Sequence, residues 1–197
     1  VTSEENATEV IDMAVSKFGH LDVLVNCAGI AIAKKVLNPK KSQVHGLKDF
    51  EQVLKVNTLG SFNMIRLSAN AMCKNEPDVN EQRGICISTA SVAAFDGQQG
   101  QSAYSASKGA IVGMTLPIAR DLAQFGIRCV TIAPGLFGTP MLMSLPEKVK
   151  VFLASLVPNP SRLGNPDEYA HAIEFMIQNP YFNGEVIRVD GALRMPP

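Results

Sequence analysis

Neither sign of charge dominates this sequence. Its 18 Lys and Arg are matched by 18 Asp and Glu, so no net field draws the chain toward a nucleic-acid backbone or an anionic membrane. No apolar run is long enough to cross a bilayer. Cys27, Cys73, Cys86 and Cys129 are scattered, with no CxxC and no His at ligand spacing. That pattern argues against a disulfide framework and against a zinc site; reduced, mostly buried thiols of an intracellular protein are expected instead. Internal repeats, low-complexity tracts and linkers are missing too. So is a Met start, since helical pattern begins almost at Val1. The natural start is therefore read as removed, by processing or by truncation, and the lack of a targeting segment carries no information.

What is present is globular: 197 residues, 46% hydrophobic and 18% charged, enough for one domain spanning 1–197 with a sizeable core. Thr2 and Glu5 have capping-box spacing ahead of Val10, Ile11, Ala14, Val15 and Phe18, and Gly19 stops the run. LDVLVN (21–26), GICISTA (84–90), IRCVTIAP (127–134) and EVIRVDG (185–191) read as strands. Between them, 47–72, 103–124, 146–155 and 166–178 carry helical periodicity, with Gly60 weakening the first and Pro117 predicting a kink in the second. A long loop with Lys34, Lys35, Lys40 and Lys41 follows the first strand. Apolar strands alternating with helices predict an α/β, doubly wound parallel sheet.

Ligands of such sheets bind beyond the carboxyl ends of the strands. Asn26, Ala28 and Gly29 follow the first strand, Ser88, Thr89 and Ser91 the second, and Pro134, Gly135 and Thr139 the third. All three clusters fall on one edge. Singly, each residue has a plain structural explanation: Tyr104 and Lys108 are an i,i+4 helical pair, Ser91 a turn residue, Asn57 a solvated helix position.

Together they form a pattern. NCAG (26–29), VNTLGSF (56–62), ISTAS (87–91), YSASK (104–108), IAPGLFGTP (132–140) and NGEVIRVDGA (183–192) stand in the order and spacing of the short-chain dehydrogenase/reductase family, which the whole chain resembles. The resemblance implies a Rossmann-type fold and hydride transfer between a nicotinamide cofactor and a secondary alcohol. It assigns Ser91, Tyr104, Lys108 and Asn57 to catalysis, and Ser91, Gln98, Gln101 and Tyr104 to substrate. To the cofactor, NAD, it assigns Asn26, Ala28, Gly29, Tyr104, Lys108, Pro134, Gly135 and Thr139. A phenol with a pKa of about 10 is too little ionised to act as a base at neutral pH; a lysine ammonium one helical turn away is expected to lower that value. Asn57 is expected to hold a water linking Lys108 to solvent. Residues 141–158 are expected either to cover an apolar substrate or to pack on the core.

Within the family, the stretches around Tyr104, KNEPD (74–78) and SRLGNPDEYAH (161–171) resemble a mitochondrial branch acting on 3-hydroxyacyl-CoA thioesters and hydroxysteroids. That likeness implies a homotetramer in mitochondria. It also implies a second role, as a non-catalytic scaffold partnering a tRNA methyltransferase in tRNA processing, any RNA contact being local to the 34–41 lysines. One family motif is not in the sequence: the strand-TGxxxGxG-helix that cradles pyrophosphate, with the acidic strand end that selects NAD. The chain is accordingly expected to lack the first βαβαβ elements, as a fragment of a complete enzyme or as a cofactor-deficient isoform. The 197 residues alone are expected to bind NAD weakly and to leave the strand at 21–26 as an open apolar edge.

Overall fold

The computed structural model describes residues 1–197, the side chain of Met141 excepted. Helix α1 (Glu4–Phe18) begins one residue later than Thr2 predicts, because the hydroxyl of extended Ser3 accepts the Asn6 N–H. It ends at Gly19, whose φ of 86° is left-handed and free of strain only without a Cβ. Strand β1 (Val23–Asn26) follows. The loop after it contains a small hairpin, β2 (Leu37–Asn38) with β3 (Gln43–Val44), too short to leave a periodic trace in the sequence.

The periodic stretch 47–72 is two helices, α2 (Leu47–Leu54) and α3 (Gly60–Met72), joined by a π turn over Lys55–Leu59. Such turns are rare and concentrate at functional sites. Then come β4 (Gly84–Thr89), α4 (Ser102–Ala123, running through Pro117) and β5 (Ile127–Pro134). A one-turn helix α5 (Pro140–Met143), α6 (Glu147–Ser155), α7 (Pro166–Gln178) and β6 (Val186–Val189) complete the chain.

Strands β1, β4, β5 and β6 lie in that order and all pair in parallel, as the alternating pattern predicts. Their apolar runs are explained by cover on both faces. Ile85, Ile87, Val130 and Ile132 pack on Ile173 and Met176 of α7. Cys86, Ile127 and Cys129 pack on Ile65, Ala69 and Met72 of α3 and on Ile118 and Ala119 of α4. Each such side chain withdrawn from water contributes about 1.5–3 kcal/mol. No described strand pairs with the outer side of β1, where Val23, Leu24 and Val25 are half-buried.

The cysteine expectation holds for only two of four: Cys86 and Cys129 are buried, whereas Cys27 and Cys73 are exposed. Burial pushes the Cys129 thiol up to about 12. No described helix is long and apolar enough to cross a membrane.

Candidate active site

The register of the sheet sets the site. Asn26 pairs with Ser88, and Ser88 with Thr131, so β1, β4 and β5 deliver their last residues to one edge. Beyond β4 the chain turns sharply. Ser91 caps a short 3₁₀ turn, Val92–Ala94, its hydroxyl accepting the Ala93 N–H at 3.1 Å. The loop then folds back on the first turn of α4. A Cβ on Gly97 would lie 2.6 Å from Ser105 Oγ, so only glycine lets the loop sit this close.

That closure brings Ser91 to Tyr104. Burial raises the Tyr104 phenol above its ordinary pKa, and a side-chain hydrogen bond with Ser91 pulls it partly back. One helical turn on, Lys108 is 4% exposed. Its ammonium donates to the Thr89 carbonyl at 2.6 Å and stands 5.8 Å from the centre of the Tyr104 ring. Burial lowers Lys108 to about 8, opposed by the field of Cys27. Helical spacing alone predicts a phenol pulled down by this lysine. Burial acts the other way: desolvation of the phenolate outweighs the pull of the Ser91 hydrogen bond.

Asn57 lies in the π turn with no exposed surface. Its Nδ2 donates to the Ile30 carbonyl and to Ser107 Oγ, both at 2.9 Å, while its Oδ1 accepts the Ile30 N–H at 2.8 Å. The side chain thus staples the segment after β1 to α4, and its backbone carbonyl accepts the Ser61 hydroxyl at 2.7 Å. Asn26 is also buried, its amide directed at the Ser61 carbonyl and the Ser88 hydroxyl. Ala28 and Gly29 are exposed beside them.

The remaining expected residues lie around this cluster. Pro134 ends β5; Gly135 follows it, and a Cβ there would meet Asp190 at 2.8 Å. Close packing on Asp190 therefore dictates that glycine. Thr139 is exposed at the start of α5. Gln98 and Gln101 sit on the loop between Ser91 and Tyr104, but their side chains serve the chain itself. Gln98 Nε2 donates to the Pro196 carbonyl at 3.0 Å, and Gln101 Oε1 accepts the Gln98 N–H at 3.1 Å.

Sequence reasoning passed over one contributor. The Tyr169 hydroxyl, from α7, lies 2.7 Å from Thr89 Oγ1, so Thr89 holds Lys108 by its carbonyl and Tyr169 by its side chain. The partners are 80 residues apart, and no local pattern marks the pair.

A nicotinamide cofactor fits what is here. Gly29 leaves clear the space over the buried pair: a Cβ at that point would come 3.6 Å from Lys108 Nζ and 3.4 Å from Asn57 Oδ1. Lys108 keeps donors beyond the one that Thr89 takes. Among the described residues no group of three or more His, Cys, Asp or Glu could hold a metal ion.

A family model described as short chain dehydrogenase matches residues 1–150. The chain belongs to the short-chain dehydrogenase family. It is 66% identical over 197 residues to 3-hydroxyacyl-CoA dehydrogenase type-2 of Homo sapiens, covering all of this chain and 76% of that protein. To the protein of the same name from Drosophila melanogaster it is 60% identical, covering 77% of that chain. A crystal structure of 3-hydroxyacyl-CoA dehydrogenase type-2 from Mycobacterium avium matches the fold with a TM-score of 0.94 at 38% identity, over all of this chain and 76% of the other. As a short-chain dehydrogenase, the protein is an oxidoreductase that works with a nicotinamide cofactor.

Proposed function

We propose that this oxidoreductase converts 3-hydroxyacyl-CoA thioesters to 3-ketoacyl-CoA with NAD, and takes hydroxysteroids as secondary substrates. The observation that carries the reading is the buried Lys108, held by the Thr89 carbonyl at 2.6 Å and standing 5.8 Å from the centre of the Tyr104 ring. The names of the relatives at 60–66% identity supply the substrate.

Ser91 donates a hydrogen bond to the carbinol oxygen and holds it beside Tyr104. Tyr104, as phenolate, takes the hydroxyl proton while the carbon–oxygen bond becomes a carbonyl. A nicotinamide cofactor, held by Lys108 and the residues after β1 and β5, would supply the hydride acceptor. Lys108 supplies positive charge to the phenolate and a donor for the cofactor ribose, and its depressed pKa lets it pass a proton near neutral pH. Asn57 fixes Ile30 and Ser107, the neighbour of Lys108 in α4; a water near it would complete a relay to solvent. Asn26, Ala28 and Gly29 serve the adenosine side of the cofactor, Pro134, Gly135 and Thr139 the nicotinamide and phosphates. Gln98 and Gln101 border the substrate.

Helix α6 buries none of its residues and exposes Val151 and Phe152. That favours its use as an apolar cover for the acyl chain over simple core packing. Its place in the family fits a homotetramer in mitochondria, where a tRNA methyltransferase partnership would be a separate use of the fold. The convergence of four buried or half-buried polar side chains favours the enzyme reading over a pure scaffold.

The test is NADH formation from NAD and 3-hydroxybutyryl-CoA by the purified protein, beside Tyr104→Phe. Turnover should fall about 10²–10⁴-fold in the variant. Equal turnover in the two proteins would sink the assignment of Tyr104.

A further inference from the structure

Ser91 leaves the sheet directly after Ala90, whose N–H donates to the Ile132 carbonyl of β5 at 2.8 Å, and its own bonds are short-range. Its own hydroxyl caps Ala93, its carbonyl accepts the Ala94 N–H, and Val92 accepts from Phe95 and Asp96. The first residues of this turn are buried, Val92 at 4% and Ala93 at 5% exposure. Farther along the loop, a second grip comes from the end of the chain. Arg188, in β6, makes a two-pronged ion pair with Asp96, Nη2 to Oδ2 at 2.6 Å and Nη1 to Oδ1 at 3.2 Å. Its Nε bonds Asp190 Oδ2 at 2.7 Å, Nη2 also reaches the Leu193 carbonyl at 2.8 Å, and the guanidinium lies 5.4 Å from the centre of the Phe95 ring. Gln98 Nε2 adds a bond to the Pro196 carbonyl.

The pair is well shielded, with side chains 20% and 14% exposed, and its planar fork fixes direction as well as distance. On its other side, Asp190 is the residue against which Gly135 packs, and the Gly135 N–H donates to the Val189 carbonyl at 2.9 Å. One guanidinium therefore ties the Ser91 loop to the strand end that carries Pro134 and Gly135.

We propose that the Arg188–Asp96 pair is a positioning device for the reaction, holding the Ser91 hydroxyl against the Tyr104 hydroxyl. Neither residue touches the reacting atoms; both act through the loop 92–101. The proposal rests on the dehydrogenase reading of the site, and it makes a demand that a merely stabilising ion pair does not. Ser91's bond pulls the Tyr104 pKa down, so a loosened loop must let that pKa rise.

Asp96→Asn tests it, in the purified enzyme with 3-hydroxybutyryl-CoA and NAD. We expect kcat to fall about tenfold with KM changed less than about twofold, since small displacements of a positioned group act on the chemical step. The pH–rate profile should move toward alkaline pH. Ultraviolet titration of the cofactor-free protein, with Tyr104→Phe subtracted, should show the Tyr104 phenol ionising at higher pH than in the parent. Asp96→Glu, which keeps the carboxylate, should restore part of both. An unchanged kcat and an unchanged phenol titration, with only a lower Tm, overturn the proposal.

If Asp96→Asn does not fold, Arg188→Lys decides the matter. It keeps the charge but not the two-pronged fork, so a smaller loss of kcat with the same direction of phenol shift supports the clamp, and an unchanged kcat with an unchanged phenol titration rejects it. A parent protein inactive on 3-hydroxybutyryl-CoA would count against the substrate reading; the phenol titration needs no turnover and would still judge the clamp.

Discussion

Two cations lie buried at opposite ends of the same sheet, and their surroundings differ in kind. Arg128, at the start of β5, is 6% exposed and gives its guanidinium to three carbonyls that end α7 and the loop beyond it: Met176 at 2.7 Å, Ile177 at 2.8 Å and Phe182 at 3.0 Å. Burial lowers its pKa, yet a guanidinium stays charged. Lys108, at the carboxyl edge, is equally hidden but has one carbonyl, that of Thr89, and burial brings it to about 8. The first cation closes a helix end that would otherwise leave acceptors bare. The second is left with spare donors and a proton it can release. A buried charge whose fork meets three carbonyls, although its Nε has no partner, reads as architecture; one that meets a single carbonyl reads as function.

The sharpest way to break this contrast is Lys108→Met. Turnover should drop about 10²–10⁴-fold, while the cofactor-free fold gains about 1–2 kcal/mol at neutral pH by losing a poorly compensated charge. A lower urea midpoint for that variant would show that Lys108 holds the fold together after all. Arg128→Met should do the reverse, losing roughly 2–4 kcal/mol by stranding three carbonyls, with kcat per folded molecule unchanged. Arg128→Lys keeps the charge but not the fork, and should forfeit about half as much.

The smallest effect is one of pH. Lys108 has a folded pKa of about 8 against an ordinary 10.5, so between those values the unfolded chain binds more protons, and the lysine's contribution makes stability rise with pH. Below about 8 its full penalty is present. Cys129 and Tyr104, whose pKa values are raised by burial, act in the opposite sense above about 9. The difference between parent and Lys108→Met in chemical denaturation, measured from pH 7 to 10, isolates the lysine; a flat difference would contradict its depressed pKa.

Much of this was open to reading from the residues. The strands at 23–26, 84–89, 127–134 and 186–189 are apolar on both faces because α3 and α4 cover one side and α7 the other, and such runs announce themselves. Ser91, Tyr104 and Lys108 were legible as a spaced motif, and helix geometry brought the last two together. Direction of charge effects was not: the Tyr104 shift depends on how much water the folded loop excludes, which no spacing encodes. Nor were Thr89 with Tyr169, or Arg188 with Asp96, whose partners lie 80 and 92 residues apart. The cap of α1 slipped by one residue because Thr2 and Ser3 offer the same chemistry, and backbone extension chose Ser3.

The π turn at Lys55–Leu59 bears on what changes of length the site can tolerate. It works as a phase shifter: the extra residue lets α2 and α3 keep different faces inward while Asn57 points at Ile30 and at Ser107 of α4. Deleting any one residue of the five would restore an ordinary helical phase and swing α3 about its axis by about 100°. Asn57 would then leave Ile30 and Ser107, or α3 would turn Ile65 and Met72 away from the sheet. Substitution along this stretch trades one side chain for another, but a single-residue deletion would dephase the core from the site.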